Sequence, residues 1–162
     1  MEIVALRDIN AGEEIFNSYL DSSVELSSQE RRERITGEWN FSCKCPICAG
    51  AGVTASDERR KEITKTKDQM KAAGRSANKV LALVKTLLRL YEEEGMIMPK
   101  AQNYWLAAVA ANSLGHGDEA LTFAKRAREY WTIMFGEDSE AVREVMEFER
   151  DPATHPSRPK RP

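Results

Sequence analysis

The sequence predicts a mixed fold: a small β-rich segment ending in a cysteine loop, followed by an all-α helical bundle. Three observations carry this. The first twenty residues alternate like strands around a Gly turn, all three cysteines lie within FSCKCPIC at 41–48, and from Ser56 onward apolar residues recur at helical spacing. At 162 residues the chain is long enough for one domain with a real core, or for the end of one domain joined to a smaller second one.

In chain order, EIVALRDI and EEIFNSYL read as two strands joined by a turn at Asn10-Ala11-Gly12. SSQERRERI reads as a short polar helix, with Ser27 and Glu30 as a capping box and Gly37 as its left-handed stop. AGAGVTAS then forms a linker. Helices are expected at about 57–73, 77–94, 99–114, 117–135 and 138–149, broken by Gly74, Gly95, Gly115-His116-Gly117 and Gly136. The tail DPATHPSRPKRP is proline-rich, has no apolar residue larger than Ala, and is expected to be disordered. The corresponding domain reading is 1–50, a linker at 51–56, a helical domain at 57–149 and a tail at 150–162.

Small residues at Ala107, Ala108 and Ala111, then GHGDEAL, then Ala120, Ala124 and Ala127, match the spacing of a tetratricopeptide repeat. There, small side chains let two helices approach closely. An ordinary antiparallel helical bundle is the alternative, since only one such unit is clear. Either serves as scaffold or protein-binding surface, and neither carries a catalytic constellation.

Composition limits the function classes. Charged residues make up 31% of the chain with a formal net charge of -2, so no basic field argues for nucleic acid. No apolar run approaches the ~20 residues that span a bilayer, and the acidic N-terminus lacks the marks of a secretory signal. The expected address is intracellular, nucleus or cytoplasm. Three clustered cysteines without partners elsewhere fit a disulfide framework poorly and a metal site well. Cys43 and Cys45 project the same way from an extended segment, and the Pro46-Ile47 turn returns Cys48. Three thiolates can then occupy three corners around Zn²⁺, which soft sulfur favours. Three free structural cysteines form the competing reading. A redox pair fits less well, because Gly50 and Gly52 follow where a helix is needed. His116 and His155 read as exposed residues, and Glu38 or Asp57 as poorly spaced oxygen donors. The fourth ligand is left to another region, another chain or water.

Taken together, RDINAGEEIFNSYLD, a helix bearing Arg31, Arg32 and Arg34, and FSCKCPIC resemble the C-terminal part of a SET domain with its post-SET zinc loop. The order of these motifs looks most like the SET and MYND domain family, whose members continue into a TPR-like helical domain. The resemblance implies a β-rich SET remnant and an S-adenosylmethionine-dependent protein-lysine methyltransferase acting on histone or other lysines. It implies Tyr19 as the active-site tyrosine, Phe41 as the aromatic on the cofactor adenine, and Cys43, Cys45 and Cys48 as three zinc ligands. The implied partners are a protein substrate lysine and a further protein on the TPR-like helices, with no nucleic acid and no membrane. A complete SET domain also has a Gly-x-Gly strand region and an Asn-His-x-Cys segment ahead of these motifs. Neither precedes them here, so the expectation is an incomplete domain, inactive as this chain alone. The alternative is a non-catalytic TPR-like interaction module with a small zinc-binding appendage.

Overall fold

The computed structural model describes residues 5–15, 18–20 and 26–158. Seven helices run along them: α1 (Ser28–Trp39), α2 (Pro46–Ala49), α3 (Val53–Ala72), α4 (Ala77–Glu93), α5 (Met98–Ser113), α6 (Gly117–Phe135) and α7 (Glu140–Arg150). The chain divides into two units, Ile9–Asp68 on one hand and Met1–Asp8 with Gln69–Pro162 on the other.

The expected β-rich SET remnant is not formed: among the described residues there is no strand and no sheet. The turn between the two expected strands does exist. Glu13 donates its N–H to the Asn10 carbonyl at 3.0 Å, the Glu13 carboxylate accepts from the Asn10 N–H at 3.1 Å, and Gly12 takes φ 83°. Among the described residues its flanks do not pair into a ladder; two short strands by themselves bury too little to hold each other. The parts of those expected strands at 2–4 and 16–17, like residues 159–162 of the tail, lie outside the described residues.

In the smaller unit, α1 starts where the sequence placed it. The Ser27 hydroxyl accepts from the Glu30 N–H, and the Glu30 carboxylate accepts from the Ser27 N–H at 2.7 Å, closing the capping box. Its end differs from expectation. The helix runs through Gly37 and stops at Asn40, which takes the left-handed conformation at φ 53° and donates its N–H to the Thr36 carbonyl. Asparagine tolerates that region better than other residues bearing a Cβ, so the helix gains a turn. The helix after the cysteine loop also starts at Val53, four residues before the expected 57.

In the helical bundle the sequence reading holds within a few residues for α4 to α7. Leu81, Val84 and Leu88 turn one face of α4 into the core, and Val142, Val145 and Phe148 do the same for α7. Between them α5 and α6 meet along alanines: Ala107, Ala108 and Ala111 on one helix, Ala120, Ala124 and Ala127 on the other, all fully buried. Side chains of one carbon let the two backbones close up. Leucine at 124 would overfill that seam, and Ala124→Leu is expected to lower stability by about 1–3 kcal/mol in a denaturant melt.

The turns of the bundle close in the same way. At the end of α4, Gly95 at φ 65° lets its N–H reach the Glu92 carbonyl and the Met96 N–H reach Tyr91 at 2.8 Å; Gly115 repeats the arrangement after α5. Among the described residues of this unit two charged side chains are buried, Glu94 and Lys100. Lys100 lies over the Tyr130 ring at 5.6 Å and pairs with the Glu92 carboxylate. Burial acts downward on its pKa, but the Glu92 partner outweighs it and the net shift is upward.

Residues 151–158, expected to be disordered on composition, fold back as a series of turns. The buried Asn112 amide on α5 donates to the Pro152 carbonyl and to the Ser157 hydroxyl, both at 2.9 Å. His155, expected to be exposed, is half-buried edge-on to Trp105 and Phe148, with ring centroids 5.7 and 5.1 Å away. His116 is exposed, as expected.

Candidate metal centre and aromatic cluster

The left-handed turn at Asn40 sets up everything that follows it. Trp39 closes α1 on one side of that residue and Phe41 leaves on the other, where the Thr36 hydroxyl donates to the Phe41 carbonyl at 3.3 Å. Both rings meet Tyr19 edge-on, with centroids 5.4 Å away for Trp39 and 5.1 Å for Phe41. All three rings are exposed, which is a costly way to keep aromatics unless a ligand or partner uses them. Tyr19 and Phe41 are singled out by the resemblance; Trp39 is not. Its spacing of two from Phe41, with a residue prone to left-handed geometry between them, was the signal available.

Two residues beyond Phe41 the cysteines begin. Cys43 lies in irregular backbone, and Cys45 caps the single turn α2, whose first bonds run from the Cys48 and Ala49 N–H groups to the Cys45 carbonyl at 3.0 Å. Pro46 takes the first helical position, where no N–H is needed. The turn closes so tightly that a Cβ on Gly50 would stand 2.4 Å from the Pro46 carbonyl oxygen, so this exit requires glycine.

The three Sγ atoms lie within 4.8 Å of one another, and among the described residues no His, Asp or Glu joins them. Tetrahedral Zn²⁺ with bonds of ~2.3 Å sets its sulfurs about 3.8 Å apart, so the trio needs only a small contraction to hold an ion. The protonation pattern suits that use. Burial pushes the Cys43 thiol up to about 11. Burial acts upward on Cys45 too, yet hydrogen bonds from the Cys43 and Cys48 thiols and from the nearby backbone outweigh it and bring Cys45 below its ordinary value. Of the pair, then, Cys45 is the one whose ionisation its surroundings favour and Cys43 the one whose ionisation they oppose. The oxygen donors considered from sequence are engaged elsewhere: Glu38 pairs with Arg34 at 2.9 Å, and Asp57 caps α1.

That cap is part of the site's support. One Asp57 oxygen accepts from the Ser28 N–H and the other from the Ser28 hydroxyl, each at 2.7 Å, tying α3 to the first turn of α1. Burial acts upward on Asp57, but the Ser28 bonds and the charges of Arg31 and Arg60 outweigh it and lower its pKa from 3.8. A folded pKa below the unfolded one contributes stability that is present above pH 3.8 and lost as pH falls through the folded value. The difference in melting temperature between wild type and Asp57→Asn is therefore expected to be present at neutral pH and to close on acidification below about pH 4.

Comparison with known proteins now bears on this arrangement. No protein-family model matches the chain. It is 27% identical over 157 residues to the histone-lysine N-methyltransferase set5 of Schizosaccharomyces pombe, covering 93% of this chain and 48% of that protein. With the histone-lysine N-methyltransferase SMYD3 of Mus musculus it shares 30% over 144 residues, 81% of this chain and 32% of the relative. The chain is a relative of the SET- and MYND-domain lysine methyltransferases. The N-lysine methyltransferase SMYD2 of Homo sapiens agrees over a shorter stretch, 32% over 71 residues or 44% of this chain. The chain spans about half the length of the set5 protein and about a third of SMYD3. Among the described residues, no helix is long and apolar enough to cross a membrane.

Proposed function

We propose that residues 1–50 supply the aromatic and zinc-binding part of an S-adenosylmethionine-dependent protein-lysine methyltransferase site, and that the helices from α4 to α7 form a TPR-like platform for a protein partner. The observation that supports this best is the meeting of the Tyr19 and Phe41 rings at 5.1 Å, immediately before the three cysteines. The resemblance assigned those two residues neighbouring tasks from separate stretches of sequence.

In this reading Cys43, Cys45 and Cys48 hold a structural Zn²⁺, whose chemistry there is to cross-link the loop. The loop fixes the exposed Phe41 ring as a flat apolar surface for the cofactor adenine. S-adenosylmethionine, when bound, supplies the methyl group as an electrophilic sulfonium carbon. Tyr19 stands beside Phe41, and its phenol oxygen can accept a hydrogen bond from the amine of a protein lysine and hold it in line for transfer. Trp39, whose ring also meets Tyr19 edge-on, adds a second apolar wall that excludes water.

A second reading, an interaction module with a zinc-binding appendage, is favoured by the core that the α4–α7 bundle possesses in its own right. Saturation-transfer NMR with S-adenosylmethionine and the zinc-loaded chain separates the two. Weak transfer to the adenine protons, lost in Phe41→Ala, is the expected result. Equal transfer in wild type and Phe41→Ala would remove Phe41 from the site, and no transfer at about 1 mM cofactor would leave the interaction module.

A further inference from the structure

We infer that Arg31 is a positioning residue for the metal centre, setting the Cys45–Cys48 turn through a forked contact from α1. This rests on the zinc reading above. Arg31 is only 4% exposed, although it belongs to a polar helix whose other arginines face outward. Its Nη1 donates to the Leu26 carbonyl at 2.6 Å and its Nη2 to the Ile47 carbonyl at 2.8 Å. Ile47 lies between Pro46 and Cys48, so the second bond grips the turn that brings the last sulfur to the other two. Next along the helix, Arg32 reaches the Cys48 carbonyl at 3.4 Å, a weaker contact on the same segment.

The cost of this arrangement points to a purpose beyond packing. Arg31 Nε is buried with no partner among the described residues, so the side chain is only partly satisfied. An apolar residue of similar volume would avoid burying a charge and an orphaned donor. What it could not do is span two carbonyls that stand before and after α1 in sequence. A planar guanidinium with fixed N–H directions can, whereas a lysine ammonium offers one point of contact on a flexible stem. The charge has a further use. Three thiolates and one Zn²⁺ carry a net negative charge, and a desolvated cation held against the same turn offsets it. Asp57 faces Arg31 from α3 and, by fixing Ser28, anchors the helix from which the fork extends. The chain Asp57, Ser28, α1, Arg31, Ile47 is the outer support of the sulfur cluster.

Loss of such outer partners lowers metal affinity by roughly 10–100-fold. The test is competition for Zn²⁺ between the full chain and a chromophoric chelator, for wild type, Arg31→Met, Arg31→Lys and the exposed control Arg34→Gln. Affinity is expected to fall by about that factor in both Arg31 variants and to stay within about twofold of wild type in the control. Cobalt loaded in place of zinc reports the geometry: its visible bands are expected to shift in Arg31→Lys, which a loss of general stability alone does not cause. Circular dichroism identifies a variant that fails to fold, and Arg31→Lys, which retains stem and charge, then decides the matter. A wild-type chain that takes up no metal overturns the zinc reading. Wild-type affinity and an unshifted cobalt spectrum in Arg31→Lys, with metal bound normally by the parent, would overturn only the role of the fork.

Discussion

Cys48→Ser is expected to weaken Zn²⁺ binding by more than the ~100-fold that removal of an outer partner costs, because it deletes one of only three protein sulfurs. The loss extends beyond the metal. Cys48 is buried, so the serine hydroxyl in its place would need a hydrogen-bond partner inside the turn. With the metal gone, the segment that carries Phe41 is held by the Thr36 contact, the Asn40 cap and the Tyr19 ring. Isothermal titration of the metal-free chain with Zn²⁺ measures the first effect. Chelation of the wild type should reproduce the second, read as a change in Trp39 fluorescence because that ring touches Tyr19 next to the loop. Binding by Cys48→Ser as tight as by wild type would show that the three sulfurs do not share an ion.

The largest expected loss of stability comes from Trp105→Ala, at about 3–5 kcal/mol. Trp105 touches three other rings: Trp131 at 6.2 Å, Phe148 at 5.2 Å and His155 at 5.7 Å between centroids. One turn away on the same face of α5 stand Ala101 and Ala108, too small to move into the space it would leave. The hole would open between α5, α6 and α7 together. A chemical denaturation curve gives the value, and a loss below about 1 kcal/mol would mean that the surrounding helices collapse onto the site.

How much of this was legible before the coordinates differs from one residue to another, for physical reasons. The helices of the bundle were readable because Leu81, Val84 and Leu88 repeat at the helical period and glycines mark the breaks. The capping box at Ser27 and Glu30 is a local pattern and formed as read. Strands are different. EIVALRDI alternates as a strand should, but a strand is stable only through its neighbours, and the alternation does not say whether any are present. Gly37 looked like a stop because glycine alone tolerates left-handed backbone without cost; the helix had enough favourable residues to continue to Asn40. Cys43, Cys45 and Cys48 came together as their spacing required. The contacts of Arg31 were not legible, since they run to carbonyls supplied by other stretches of chain while its own neighbours describe an ordinary polar helix; for Trp39 the sequence offered only its spacing from Phe41.

The docking of residues 151–158 alters where this protein should be cut. A boundary drawn after Arg150, where the last helix stops, would strip the buried Asn112 amide of both its acceptors and uncover the faces of Trp105 and Phe148 that His155 closes. A shortened chain that keeps the bundle should therefore extend through Arg158. By the same reasoning, a fusion partner is better attached at the other end.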